Sequence, residues 1–334
     1  MQKRIRARIT GTGSYLPERV LSNEDLAKLV DTSDEWIWSR TGMKERRIAR
    51  EDEFTSDMGH LAALKAMESA GVKAEEIDLI LVATLTPDYM FPSTACLIQA
   101  KLKAVNAAAL DIQAACTGYI YALSQAQAFI ESGRYNQILI VASEKLSAIV
   151  DYKDRTTCVL FGDGASACVV SSKGPGLLIQ DVCLGADGDL AELLILPAGG
   201  SRNPSSSETV AKGMHYLQMG GKETYKHAVR RMEMAAKQSL ERVGLDESAI
   251  SWIVPHQANV RIIEAIAKRF GVAMERVYLT IHKYGNTSAS SLGIALDELV
   301  KLGQLKDKEN LLLVAFGSGL TWGASILTKI SGEP

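Results

Sequence analysis

Apolar runs of strand length alternate with helical segments along the whole chain. Residues 77–84, 107–112, 137–143, 158–171, 177–184, 250–255, 310–316 and 322–329 have the composition of strands. Several are continuously apolar, as in Leu79-Ile80-Leu81-Val82-Ala83, which is the pattern of a strand covered on both faces. Helices are expected over 55–70, 117–132 and 287–302, each stopped by a glycine at 71, 133 or 303 that can close it in the left-handed conformation. Thr32-Ser33-Asp34-Glu35 has the form of a capping box, with Thr32 as the cap. The alternation predicts a layered α/β fold with largely buried sheets. Gly11-Thr12-Gly13-Ser14 and Gly162-Asp163-Gly164-Ala165 read as tight turns; neither has a P-loop lysine or the G-x-G-x-x-G spacing.

The pattern repeats. Residues 66–82 align without gaps onto 239–255, with Glu68/Glu241, Gly71/Gly244, Ile77/Ile250 and Ile80/Ile253 identical. A second block pairs Cys116-Thr117 with Asn286-Thr287 and Gly133 with Gly303. The two blocks agree in order and nearly in offset, which predicts two similar halves, 1–172 and 173–334. The helices after Cys116 and Asn286 are both built of small residues: Gly118, Ala122, Ser124, Ala126 and Ala128 in one, Ser288, Ala289, Ser290, Ser291, Gly293 and Ala295 in the other. Small residues nearly all round a helix imply close packing on several sides, so both are expected at the centre, against each other.

Composition narrows the function. The 334 residues are 47% hydrophobic and 23% charged, ordinary for a globular protein with a large core, and suit two domains or one large α/β unit. The net charge of −2 gives no global pull toward nucleic acid. Five scattered cysteines (96, 116, 158, 168, 183) with no C-x-x-C pair suit neither a disulfide framework nor a zinc site. Lys3, Arg4, Arg6 and Arg8 precede no apolar segment of signal-peptide type, and no run of 18 apolar residues exists. The expectation is a cytoplasmic protein, with no membrane partner.

Three residues stand out for chemistry. Cys116, in Asp111-Ile112-Gln113-Ala114-Ala115-Cys116-Thr117-Gly118, sits where a strand turns into a helix. A thiol at a helix N-terminus is near the positive end of the dipole, which favours thiolate. A free cysteine is also a common core residue, the reading given to the other four. His256, in Pro255-His256-Gln257-Ala258-Asn259, directly follows a strand, where open α/β sheets place their sites. A lone histidine is more often structural. Asn286, in Tyr284-Gly285-Asn286-Thr287-Ser288, holds the repeat position of Cys116 and could equally be an ordinary helix cap. If the two helix starts meet, Cys116 and Asn286 face one pocket with His256 beside them. Phe316-Gly317-Ser318-Gly319-Leu320 follows a strand and could offer backbone N–H groups to an oxyanion.

These motifs resemble the β-ketoacyl-acyl carrier protein synthase III family, condensing enzymes of the thiolase superfamily. The resemblance runs from Gly11-Thr12-Gly13-Ser14-Tyr15-Leu16-Pro17, through Asp31-Thr32-Ser33-Asp34-Glu35-Trp36-Ile37 and Arg40-Thr41-Gly42, to Thr321-Trp322-Gly323. Ala-Cys-Thr-Gly, Pro-His-Gln-Ala-Asn and Gly-Asn-Thr-Ser are its most specific parts. It implies a five-layered αβαβα fold and a homodimer. It also implies decarboxylative condensation of a short acyl-CoA, acetyl-CoA first, with malonyl-acyl carrier protein, giving a β-ketoacyl carrier protein, CoA and CO₂ at the start of type II fatty acid synthesis. Neither metal nor redox cofactor is implied.

The resemblance assigns roles as well. Cys116 would be the nucleophile, with backbone N–H groups of Cys116 and Ser318 as oxyanion hole; His256 and Asn286 would stabilise the enolate. Trp36 and Arg155 would sandwich the CoA adenine, with Thr32 and Arg40 as further nucleotide contacts and Gly221 and Asn259 along the pantetheine. Phe91 would reach the partner subunit's acyl pocket. Lys226, Arg261, Lys268 and Arg269 would dock the carrier protein. Ser318 departs from a common Gly-Gly-Gly turn, and Tyr225 stands where phenylalanine is frequent. A paralogous quinolone, polyketide or hydrocarbon synthase would keep the same triad, and a non-catalytic scaffold would keep the fold. A papain-like hydrolase also uses Cys, His and Asn, but its C-G-[SA]-C-[WY] signature is absent.

Overall fold

The structure, a computed structural model, describes residues 5–332; Lys3 and Arg4 of the basic N-terminal run lie outside them. Nine strands among the described residues form one continuous sheet: β1 (Arg8–Tyr15), β2 (Leu79–Ala83), β3 (Ala108–Ile112), β4 (Gln137–Glu144), β5 (Gly164–Ser171), β6 (Gly176–Ala186), β7 (Ile250–Pro255), β8 (Asn310–Gly317) and β9 (Thr321–Ile330). Their order is β7-β8-β9-β6-β1-β5-β4-β2-β3. The longer helices are α1 (Asp34–Thr41), α2 (Thr55–Ala70), α3 (Thr94–Leu102), α4 (Gly118–Glu131), α5 (Gly221–Val243), α6 (Val260–Arg269) and α7 (Ser290–Lys301). β1 and β6 meet only where Arg8 pairs with Leu178 and Ile9 with Leu177, so the sheet is hinged there into two parts.

Strand periodicity builds the layers. Leu79, Leu81 and Ala83 of β2 enter a central core, while Ile80 and Val82 enter an outer one with Met58, Ala62 and Ala66 of α2 and Ile98 of α3. Leu311, Leu313 and Ala315 of β8 enter the same central core, while Leu312, Val314 and Phe316 face Met232, Ala236, Ile263 and Ile266 of α5 and α6. The central core is filled by Ile120, Leu123 and Ala126 of α4 and Leu292, Ala295 and Leu299 of α7. Two sheet halves thus enclose two helices and carry two more helices on each outer side. This is the expected five-layered order, and the small residues explain its centre. A Cβ on Gly118 would lie 3.4 Å from that of Ala289, and one on Gly293 would lie 2.8 Å from the Tyr119 ring.

Four expectations need correction. Gly11 and Gly13 lie inside β1, not in a turn: a Cβ on either would come 2.4 Å from a backbone nitrogen of α2, Ala70 or Ala66, so glycine lets strand and helix touch. The strand expected over 158–171 begins at Gly164, because residues 155–158 form a helical turn and buried Asp163 accepts from Ala49 N and Ser147 N. The cap of α1 is Ser33, whose hydroxyl accepts from Trp36 N, not Thr32. Cys96 is exposed, unlike the other four cysteines. The glycines at 71, 133 and 303 do close their helices at φ of 66°, 75° and 65°.

Candidate active site

Cys116 lies in a 3₁₀ turn, Ala115–Thr117, between β3 and α4, and is 7% exposed. Ala115 just before it holds φ at +45°, an uncommon left-handed conformation for a residue with a Cβ. Facing this turn is the end of β8: a Cβ on Gly317 would lie 2.8 Å from Cys116 N and 3.0 Å from Cys116 Cβ. Thr117 Oγ1 donates to Ala114 O at 2.6 Å and lies 2.8 Å from Thr321 Oγ1, which reaches Ser318 O at 2.9 Å. The turn before α4 and the turn after β8 are therefore fastened together. The positive φ of the second turn belongs to Gly319 (φ +138°), so Ser318 is accommodated without strain, its hydroxyl turned away to Leu194 O.

Burial pushes the Cys116 thiol up to about 12; the nearby Ser288 hydroxyl opposes the rise and the Glu144 carboxyl adds to it. The thiolate expected from a helix N-terminus is thus not the resting form. The thiol sits in a short 3₁₀ turn ahead of α4, and desolvation outweighs the partial charge of that turn.

His256 is 3% exposed and follows β7, its N–H donating to Val314 O of β8 at 2.8 Å. Its Nδ1 lies 2.6 Å from Ser291 Oγ, and Gln257 N donates to the same Oγ at 3.3 Å. The Ser291 hydroxyl has one proton and two lone pairs, so beside Gln257 N–H it can donate to Nδ1 in one tautomer of His256 or accept from it in the other. Burial pushes the imidazole down to about 4, so it is neutral. In the tautomer in which Ser291 donates to Nδ1, the single ring proton is on Nε2, and that nitrogen is a donor. Buried Gln257 pins the loop: its Oε1 accepts from Thr280 N and Ile281 N, and its Nε2 donates to Pro255 O and Tyr278 O.

Asn286 is 6% exposed, and its main chain is bound on both sides, N to Leu160 O at 2.8 Å and O to Gly162 N at 3.0 Å. Its Oδ1 accepts from Ser288 N at 2.8 Å, which leaves Nδ2 to donate elsewhere. Asn286 is not the cap of α7, which is Ala289. A left-handed residue stands near each helix start, Ala115 just before Cys116 and Ser288 two residues after Asn286 (φ +45° and +52°). The three candidates nonetheless converge on residues 286–291. Cys116 neighbours Ser288, Asn286 holds Ser288, and His256 holds Ser291.

Sequence reasoning missed Ser291, Ser288, Gln257 and Glu144. Ser288 and Ser291 count only as small residues in the pattern, and 35 residues separate Ser291 from His256. Glu144, at the end of β4, is fully buried. Its Oε2 takes donors from Thr84 Oγ1, Leu85 N, Thr86 N and Thr86 Oγ1, and the Ser288 hydroxyl lies close enough to act on the same carboxyl. Burial pushes this carboxyl up to about 7. A carboxylate ending an apolar strand was the one available signal.

A second cluster surrounds Trp36. The guanidinium carbons of Arg40 and Arg155 each lie 4.8 Å from its ring centroid, and Arg155 Nη1 donates to Asp31 O at 2.7 Å. The two groups expected to sandwich a base are thus in direct contact. Asn259 caps α6, and its Nδ2 donates to Arg40 O at 3.1 Å; Arg261 Nη2 donates to Ser39 O at 3.0 Å. Thr32 is half-buried, its hydroxyl without a partner, and Gly221 opens α5 with no side-chain cap before it. The four basic residues are exposed; Lys226 pairs with Glu223 at 2.9 Å and Arg269 with Glu233 at 2.6 Å. Phe91 stands apart, 86% exposed on the loop before α3, and Tyr225 is 39% exposed. Among the described residues no cluster of three His, Cys, Asp or Glu could hold a metal, and no helix is long and apolar enough to cross a membrane.

Known proteins match this chain from end to end. Residues 110–188 match the family model for 3-oxoacyl-[acyl-carrier-protein] synthase III, and residues 240–329 the model for its C-terminal part. A β-ketoacyl-[acyl-carrier-protein] synthase III of Chlamydia pneumoniae is 58% identical over 99% of both chains. The crystal structure of the 3-oxoacyl-[acyl-carrier-protein] synthase III of Aquifex aeolicus is 48% identical, with TM-score 0.89 over 96% of this chain and 99% of that one. The priming β-ketosynthase of the R1128 polyketide pathway is 36% identical, with TM-score 0.90 over 100% of this chain and 99% of that one. With the thiolase-like layers and full-length identity of this order, the chain belongs to the β-ketoacyl-[acyl-carrier-protein] synthase III family of condensing acyltransferases.

Proposed function

We propose that the protein condenses a short acyl-CoA, acetyl-CoA first, with malonyl-acyl carrier protein to initiate fatty acid synthesis. The observation that carries the reading is the convergence of Cys116, His256 and Asn286 on residues 286–291, in a chain 58% identical to a synthase of that name. Cys116 sulfur attacks the thioester carbonyl, and the thiol proton ends on the departing CoA sulfur. Backbone N–H groups of Cys116 and Ser318 hold the oxyanion. In the second half-reaction His256 Nε2–H and Asn286 Nδ2–H donate to the malonyl thioester oxygen and stabilise the enolate left by CO₂. The enolate carbon then attacks the acyl-Cys116 carbonyl, the Cys116 C–S bond breaks to release the β-ketoacyl carrier protein, and the departing thiolate takes a proton from solvent to regenerate the thiol. No group beyond the two thioester substrates is needed.

The same reading assigns the CoA nucleotide to Trp36, Arg40, Arg155 and Thr32, and its pantetheine to Asn259 and Gly221. It assigns the carrier protein to Lys226, Arg261, Lys268 and Arg269. A homodimer is supported by β3, an edge strand of the sheet, and by exposed Phe91, Met90, Val105 and Leu110 near it in sequence. The division into halves 1–172 and 173–334 is supported by matched turns: Gly71 and Gly244 both close outer helices in the left-handed conformation. A cytoplasmic location follows from the substrates. A priming role in a specialised pathway is the second reading, favoured by the 36% identity to a polyketide priming enzyme.

Intact-mass analysis with a panel of acyl-CoAs, followed by a malonyl-acyl carrier protein chase, tests the proposal. An acyl adduct on Cys116 that the chase converts to a β-ketoacyl carrier protein supports it. An adduct resisting fatty acid carrier protein supports the specialised pathway. No adduct with any acyl-CoA refutes both.

A further inference from the structure

Arg46 is wholly buried, and among the described residues no carboxylate pairs with it. A guanidinium without a counter-ion is expensive to bury, and burial lowers its pKa to about 10. What surrounds it is main chain and one amide. Nη2 donates to Val159 O at 2.7 Å, and Nη1 donates to Asn23 Oδ1 at 2.8 Å and Leu21 O at 3.2 Å. Asn23 is itself fixed, its Nδ2 donating to Met43 O and Asp34 Oδ1 at 2.8 Å each.

The side chain runs along the joint that holds Asn286. Val159 adjoins Leu160, Phe161 and Gly162, the segment bound to both main-chain groups of Asn286. Two glycines flank the Arg46 stem. A Cβ on Gly162 would lie 2.9 Å from Arg46 Cβ and 2.6 Å from Tyr284 O. A Cβ on Gly285 would lie 3.3 Å from Arg46 Cβ and 2.8 Å from Leu160 O. Gly285 also holds φ +63° and ψ −151°, a conformation closed to other residues. Two loops far apart in sequence are thus pressed onto one arginine, directly beside the main chain of Asn286.

We propose that Arg46 is a positioning residue for Asn286, clamping segment 159–162 so that the Asn286 amide is held where the enolate oxygen forms. A planar fork donating in two directions suits this clamp, whereas a lysine concentrates its donors at one point. The inference rests on the reading of Asn286 as an enolate donor and extends it.

The test compares two half-reactions in Arg46→Lys, Gly285→Ala and Asn286→Ala. Cys116 acylation by acetyl-CoA is read by intact mass, and CO₂ release is read from malonyl-acyl carrier protein. Partial unfolding lowers both rates together, so their ratio reads positioning alone. A displacement of about 1 Å costs about 10²-fold in rate, so CO₂ release should fall by up to that factor in R46K and G285A with acylation retained. If N286A loses CO₂ release selectively while R46K and G285A leave the ratio at its native value, the proposal is overturned and the Asn286 reading stands. If N286A itself leaves the ratio unchanged, the Asn286 reading falls and takes the proposal with it.

Discussion

Ser291→Ala would remove one buried hydroxyl from beside His256 and should slow only one half of the reaction. Ser291 Oγ is buried, 2.6 Å from His256 Nδ1 and 3.3 Å from Gln257 N. The proposed role of His256 needs its proton on Nε2, and that is the tautomer in which this hydroxyl donates to Nδ1. Burial keeps the ring neutral, at about 4, so no second proton is available to make both nitrogens donors. Without the hydroxyl the two neutral tautomers lose a preference of about 1–1.5 kcal/mol, the net worth of one such hydrogen bond. Since 1.4 kcal/mol is about a factor of ten, the Nε2–H tautomer would fall from about nine tenths of the population to about one half, and CO₂ release from malonyl-acyl carrier protein should fall about twofold. Acylation of Cys116 by acetyl-CoA, which uses backbone donors, should be unchanged. The orphaned Gln257 N–H should also cost about 1–3 kcal/mol of stability, seen as a lower melting temperature. Stopped-flow CO₂ release and intact-mass acylation give the two rates. A lowered melting temperature with unchanged CO₂ release would refute the tautomer argument, and an equal fall in both rates would place Ser291 on the Cys116 side.

Other perturbations follow from the same geometry. Glu144→Gln removes a charge that raises the Cys116 thiol, so iodoacetamide should alkylate Cys116 faster at pH 8; slower alkylation would mean that Glu144 assists ionisation. The same variant should change the pH dependence of stability. His256 is held at about 4 against an ordinary 6.5, so the unfolded chain binds the extra proton between those values and stability is lost as pH falls through them. Glu144 is held at about 7 against 4.5, so the folded chain keeps the extra proton and stability is lost as pH rises through that window. The two slopes oppose each other between pH 4.5 and 6.5. Melting temperature should therefore climb more steeply with pH in E144Q than in the native protein over that range. Gly317→Ala would drive a methyl to 2.8 Å from Cys116 N, and acylation should fall about 10²–10³-fold, the worth of one oxyanion donor. Arg155→Ala would remove a cation 4.8 Å from the Trp36 ring centroid; the KM for acetyl-CoA should rise up to about tenfold with kcat retained, and an unchanged KM would remove Arg155 from the nucleotide site.

Much of the architecture was legible because its causes are local or periodic. Apolar runs marked β2 and β4, glycine stops marked the ends of α2, α4 and α7, and matched runs 173 residues apart pointed to a duplication. The stripe of small residues placed α4 and α7 at the centre, because only small side chains let helices and sheets approach so closely. The motifs around Cys116, His256 and Asn286 were equally plain, since each lies at the end of an element that hydrophobic pattern delimits. What the pattern could not reach depended on neighbours distant in the chain. Gly11 and Gly13 looked like a turn because their reason is the backbone of α2, more than fifty residues away. The Cys116 thiol looked activated because the dipole is a local property, whereas the burial that raises it comes from other segments such as the end of β8 at Gly317, with Glu144 adding to the rise and Ser288 opposing it. The same holds for the hydrogen bond between His256 and Ser291, and for the clamp proposed for Arg46 on the loops that hold Asn286. A side chain's type and spacing are written in the sequence; its protonation, its free hydrogen-bonding group and its orientation come from groups that only folding brings within a few ångströms.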